Sequence, residues 1–190
     1  MPLPAEFSET ELPGILEVGA KAFADERGYF TEIHAQESWT DAGMNESFVQ
    51  DNLSQSAKGT LRGLHYQIDP HGQGKFVRVL TGAVFDVAVD LRRGSPTFRQ
   101  WVGRTLSAEN CLGLWVPVGF AHGFLALEDE TLVLYKCTHA YCPEAERSLL
   151  YSDPEIGIVW PMEPEIISPK DAEAPPLSEA DYNFSFSEKP

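Results

Sequence analysis

Residues 84–91 read VFDVAVDL. In an extended chain Phe85, Val87, Val89 and Leu91 fall on one face and Val84, Asp86, Ala88 and Asp90 on the other, the two-residue period of a β-strand. Similar β-rich runs surround it: GYFTEIHA (28–35), LRGLHYQ (61–67), KFVRVL (75–80), WVGRTL (101–106), LGLWVPV (112–118), GFLAL (123–127) and TLVLYKCT (131–138). Glycine or proline separates most of them at roughly the 8–12-residue spacing of sandwiches and barrels. Helical stretches are few, with ESWTDAGM near 37–44 the clearest. The pattern predicts an all-β chain, an antiparallel jelly-roll barrel with a few short helices.

From Tyr141 onward the texture changes. Eight of the fourteen prolines lie at or after Pro143, and residues 128–190 carry −10 of the net charge of −15. Trp160, Ile166, Ile167, Leu177, Tyr182, Phe184 and Phe186 are nevertheless too apolar for a solvating tail, so this irregular segment is expected to pack back on the barrel. A length of 190 residues fits one domain in three parts: 1–50 as N-terminal strands, 51–142 as barrel core and 143–190 as a C-terminal extension.

The acidic balance argues against nucleic acid or an anionic membrane as partner, since either requires Lys and Arg to neutralise phosphates. The charge is uneven, however: between Lys58 and Arg104 eight basic residues face three acids. A compact cationic zone in an acidic protein suits a small anionic ligand, or it is a set of solvated strand-edge arginines. No residue before Lys21 is basic, and the most apolar run, 112–127, contains Pro117 and His122 and is shorter than the roughly 20 residues of a membrane helix. A cytoplasmic location is therefore expected. Cys111, Cys137 and Cys142 lack the spacing of a zinc ribbon or a disulfide framework and read as reduced structural thiols.

Of the five histidines, His71 (in DPHGQG) and His139 (in THAY) lie in turn-like settings where exposure is expected, and His34 ends a strand. His65 and His122 sit in β segments beside glycines that bring backbones close, which makes them acid/base candidates, with a hydrogen-bonded core histidine as the equal alternative. PVGFAH (117–122) has the P-x-G-x-x-H spacing that resembles the second metal motif of cupin barrels. The first such motif needs two histidines one residue apart and a downstream Glu, whereas GLHYQIDPHGQG (63–74) offers His65 followed by Tyr66 and Gln67. A barrel is supported and no metal is expected. HGQGKF (71–76) lacks the residues of a phosphate loop, and neither a G-x-S-x-G elbow nor a G-x-G-x-x-G after a strand occurs. What remains is chemistry by proton carriers and an oxyanion partner.

QDNLSQSAKGTLRGLHYQ (50–67), QGKFVRVLTGAVFDVAVDLRRGSPTF (73–98), LWVPVGFAHGF (114–124), LVLYKCTHAYCPEAER (132–147), SDPEIGIVWP (152–161) and SPKDAEAPPLSEAD (168–181) resemble the dTDP-4-dehydrorhamnose 3,5-epimerase family. The similarity starts at DERGYF (25–30) and covers nearly the whole chain. It implies a cupin-type enzyme without metal or other cofactor that converts dTDP-4-keto-6-deoxy-D-glucose to dTDP-4-keto-L-rhamnose. A 4-keto group acidifies the C–H bonds on both flanking carbons, so epimerisation needs a base on one face, a stabiliser for the enolate oxygen and an acid on the other face. By motif position the resemblance implies His65 as base, Asp171 as its support, Lys75 at the enolate oxygen and Tyr135 as acid. Arg27 and Arg62 would hold the diphosphate, with Phe30, Gln50, His122 and Tyr141 as further substrate-binding residues. It also implies a homodimer in which the segment 1–50 acts as an arm and Arg27 reaches the neighbour's site.

Each role has a plainer counterpart: Tyr135 as a core aromatic sharing a face with Val133 and Cys137, Lys75 as a solvated strand residue, Asp171 as a helix N-cap. Strict alternation from His65 also points Arg62 to the opposite face unless Gly63 is a bulge. Arg99 stands where the family usually has glycine. Two other functions stay open: a 3- or 5-mono-epimerase of a dTDP-4-keto-deoxysugar, and a non-catalytic sugar-binding cupin.

Overall fold

The computed structural model describes residues 5–187. In chain order its elements are β1 (Glu6–Glu9), β2 (Leu16–Gly19), β3 (Ala22–Asp25), β4 (Gly28–Thr31), α1 (Gln36–Asp41), β5 (Gln50–Ser56), β6 (Thr60–Gln67), β7 (Lys75–Thr81) and β8 (Ala83–Asp90). They continue with β9 (Trp101–Ser107), β10 (Leu112–Val116), β11 (Phe120–Ala126), β12 (Thr131–Cys137), β13 (Glu146–Ser148), β14 (Ile166–Ile167) and α2 (Pro169–Ala172). The strands form one sheet in the order β1-β2-β10-β7-β12-β5 and a second in the order β13-β6-β11-β8-β9, with β14 beside β6 and β3–β4 as a separate hairpin. The two sheets close on each other as the expected jelly-roll barrel.

The alternation of VFDVAVDL explains the layering. Val84 and Ala88 point inward, where they meet Val77, Val79, Leu114 and Val133 of the first sheet. Val87, Val89 and Leu91 point outward, yet they too are buried, because Leu149, Ile156, Leu177 and Phe184 of the C-terminal extension cover that face. Burying a Leu or Phe side chain contributes about 1.5–3 kcal/mol, so the acidic extension is held to the barrel by its apolar residues, as expected. A third cluster of Val18, Trp39, Phe76 and Trp115 anchors α1 on the other side of the barrel.

One irregularity decides where the functional residues point. In the β6–β11 ladder His65 pairs with His122, but Arg62 pairs with Phe124, so Gly63 and Leu64 together oppose Gly123. The extra residue changes the phase of the alternation and brings Arg62 and His65 to one cavity. Only glycine fits at 63: its φ is +124°, and a Cβ there would lie 2.6 Å from the Cα of Gly123 and 2.9 Å from the carbonyl oxygen of His122. Arg99 adopts a φ of 72°, the left-handed region that suits glycine.

Several local expectations need correction. The helix starts and stops earlier than 37–44, and the strand expected over 28–35 ends at Thr31. His71 and His139 are half-buried rather than exposed, because their rings pack edge to face at 5.1 Å. His34 packs against Trp39 and Phe48 at 5.0 and 5.1 Å, and this burial pushes its pKa down. All three cysteines are free thiols. No helix among the described residues is long and apolar enough to cross a membrane.

Candidate active site

Between the sheets lies a cavity of about 510 Å³ whose walls carry Arg62, His65, Lys75, His122, Tyr135, Glu146, Lys170 and Asp171. A second lobe of about 300 Å³ shares His65, Lys75, Tyr135 and Glu146 with it and adds Gln50, Asn52, Gln73 and Tyr141. The ladder places these groups on opposing walls. Lys75 and Tyr135 come from neighbouring strands of the first sheet, where Cys137 pairs with Lys75 and Tyr135 with Val77. His65 and His122 face each other across the β6–β11 ladder of the second sheet.

His65 is backed by a carboxylate. Its Nε2 lies 2.6 Å from Asp171 Oδ1, while Asp171 Oδ2 accepts the Gly63 N–H at 3.2 Å. Asp171 is not the N-cap of α2; that position is Ser168, whose hydroxyl accepts the Asp171 N–H. The helix thus starts so that its third residue is aimed at β6. Burial pushes the Asp171 pKa up, but hydrogen bonds from His65 and Gly63 outweigh it and hold the carboxyl below its ordinary value. An ionised Asp171 on Nε2 fixes the imidazole tautomer and leaves Nδ1 as the basic nitrogen. His122 is held the same way, with Nε2 at 2.9 and 3.0 Å from the two oxygens of the fully buried Asp86.

Lys75 is buried, and burial pushes its pKa down despite the nearby carboxylates of Glu146 and Asp86. Its ammonium has no hydrogen-bond or ion-pair partner among the described residues. A buried cation without a counterion is costly unless a ligand supplies the negative charge. The Tyr135 hydroxyl also lacks a protein partner among these residues, and burial raises its pKa, so the phenol stays protonated and able to donate. The solvated-lysine reading therefore fails, and Tyr135 both packs on the core and faces the cavity.

Arg62 is held by Ser56 Oγ and the Gln55 carbonyl through Nε and Nη2, at 3.1 and 3.0 Å. Its Nη1 has no hydrogen-bond partner among the described residues. Gln50 Oε1 accepts the Tyr141 N–H at 2.8 Å in the second lobe. Arg27 and Phe30 are the two expected residues that the fold does not bring to their own chain's cavity. They sit on the β3–β4 hairpin, where the Arg27 side chain is 85% exposed and bonded to Asp25, and Phe30 is 65% exposed. Sequence reasoning missed Glu146 and Lys170, although Lys170 sits beside Asp171 in SPKD.

A jelly-roll barrel whose cavity sets His65 and His122 on one wall against Tyr135 and the buried Lys75 on the other fits one class, the cupin-type isomerases. The chain belongs to the dTDP-4-dehydrorhamnose 3,5-epimerase family, whose profile matches residues 9–179. It is 50% identical over 175 residues to the dTDP-4-dehydrorhamnose 3,5-epimerase of Shigella flexneri, covering 92% of this chain and 97% of that one. A solved dTDP-6-deoxy-D-glucose-3,5-epimerase from Legionella pneumophila, in complex with dTDP-4-keto-L-rhamnose, is 47% identical with a TM-score of 0.89, over 93% of this chain and 95% of that one. A 3'-monoepimerase from Streptomyces bikiniensis, in complex with dTDP-quinovose, is 34% identical with a TM-score of 0.84, over 89% and 86%.

Proposed function

We propose that this chain is a dTDP-4-dehydrorhamnose 3,5-epimerase that inverts C3 and C5 of dTDP-4-keto-6-deoxy-D-glucose with four side chains. The observation that supports this mechanism is that side chains from opposite sheets line one cavity, His65 backed by Asp171 on one wall and, on the other, Tyr135 beside Lys75, which has no partner among the described residues. His65 Nδ1 takes the proton from the carbon next to the ketone. The C–H electron pair becomes the C=C bond of an enolate, and the carbonyl π pair moves onto O4, where Lys75 meets the charge. Tyr135 returns a proton to the other face of the same carbon as the enolate collapses to the ketone, and solvent resets both carriers before the second carbon reacts.

Arg62 and Arg27 hold the diphosphate in this reading, while Gln50, Tyr141, His122 and Phe30 frame the nucleotide sugar. Arg27 and Phe30 act from the second subunit of a homodimer. The support is the hairpin itself: it lies apart from its own cavity and exposes Phe23, Tyr29 and Phe30, an apolar surface that a second copy would cover. The three free thiols suit a cytoplasmic enzyme.

Incubation of the wild type with dTDP-4-keto-6-deoxy-D-glucose in heavy water tests the assignment. Proton NMR is expected to show deuterium at both C3 and C5 of the product. Deuterium at one carbon alone would make the chain a mono-epimerase like the Streptomyces bikiniensis protein, and binding without exchange would make it a sugar-binding cupin.

A further inference from the structure

Side chains alternate along β7. Val77 and Val79 point into the barrel, so Phe76 and Arg78 point out of the other face, away from the catalytic cavity. Phe76 packs there with Val18, Trp39 and Trp115 beneath α1. Arg78 lies in the same layer and is only 3% exposed. Its Nη1 donates to the Cys111 carbonyl at 2.9 Å and its Nη2 to the Val18 carbonyl at 3.1 Å, while the guanidinium carbon sits 5.5 Å from the centre of the Phe76 ring. None of these partners carries a full negative charge. Burial pushes the Arg78 pKa down and no carboxylate opposes it, and Nε is buried without a hydrogen-bond partner among the described residues. A buried cation in this state is costly unless an anion joins it.

Beside Arg78 lies a cavity of about 10 Å³, where β2, the 32–35 connection and α1 cover β7; His34, Trp39, Lys21 and Glu32 also line it. The Nε2 of His34 is likewise buried with no partner among the described residues. Burial keeps this imidazole neutral, and with its proton on Nε2 it is a second donor. Lys21 and Glu32 offset each other, so the uncompensated charge at the cavity is that of Arg78.

Size narrows the ligand. The space is that of one particle about as large as water, too little for a phosphate, a sulfate or a carboxylate. Water would satisfy the two N–H groups and leave the positive charge uncompensated, whereas a monatomic anion does both. We infer that Arg78 and His34 form a structural halide site, in which one chloride accepts hydrogen bonds from Arg78 Nε and His34 Nε2 and ties the segment ahead of α1 to β7. The site is separate from the catalytic cavity, so its effect falls on stability rather than on turnover.

Crystals of the full chain grown without halide and soaked in sodium bromide test this on the wild type alone. The anomalous map is expected to show bromide in contact with Arg78 Nε and His34 Nε2. A water molecule there, or bromide confined to surface lysines as an adventitious ion only, would overturn the inference. In solution, urea unfolding in sodium bromide is compared with unfolding in sodium gluconate at equal ionic strength, which cancels general screening. The wild type is expected to gain a saturable stabilisation, its folding constant rising about 11-fold when bromide stands at ten times its Kd. His34→Leu is expected to raise that Kd about tenfold, and Arg78→Met to abolish the response. Identical unfolding of the wild type in the two salts would contradict the site, as would a response that survives both substitutions unchanged. The two wild-type arms decide the matter should Arg78→Met not fold.

Discussion

His65→Ala is expected to lower kcat by about 10⁴-fold, the upper end of what a positioned acid or base contributes, with affinity for dTDP changed by no more than a few-fold. The size follows from how little can replace it. His122, the imidazole facing His65 across the ladder, has its Nε2 committed to Asp86, and Asp171 lies behind the missing ring with one oxygen on the Gly63 amide. Deuterium exchange at C3 and C5 should disappear together, because one base serves both carbons. A loss below tenfold, or loss of exchange at one carbon alone, would show that another group removes a proton.

Lys75→Met is expected to cost about 10²- to 10³-fold in kcat, the range for removing one donor from an oxyanion site. Both carbons share one carbonyl oxygen, so both exchange rates should fall by the same factor. Stability should move the other way, by about 1–3 kcal/mol in favour of the variant, because a buried ammonium without a partner is replaced by an apolar side chain of similar length. Urea unfolding without substrate measures this.

The pH dependence has a definite sign. Burial lowers the Lys75 pKa below its ordinary 10.5, so the cation is lost as pH rises through that lowered value. kcat/KM, which reports the free enzyme, should therefore fall on the alkaline side below pH 10.5. Tyr135 cannot produce that limb by an early ionisation, since its pKa is pushed up. The limb should be absent from Lys75→Met.

Much of this arrangement was legible in the residues. Period-two alternation at 84–91 and its neighbours marks the barrel strands, and the long motifs around His65, Lys75, Tyr135 and Asp171 carry the resemblance that assigns their roles. Alternation alone fails at Arg62, because an extra residue at Gly63–Leu64 shifts the phase and a local period has no term for a bulge. Strand β5, QDNLSQS, was hidden for another reason: it is an edge strand paired to β12 on one side, and its polar side chains leave no apolar signal. Glu146 lies in PEAER and reads as solvated charge until β13 is seen beside β6. The hairpin bearing Arg27 and Phe30 stands apart from its own chain's cavity with its aromatics exposed, and only the dimer proposed above gives those two residues a role.

The central claim is that a proton leaves one face of the sugar and another arrives on the opposite face, from different side chains on different sheets. Tyr135→Phe in heavy water measures this most directly, because it keeps the base, the cation and the shape of the cavity and removes the donor. NMR should show deuterium entering next to the ketone while inversion falls by at least about 10²-fold. Inversion at the wild-type rate would contradict the account.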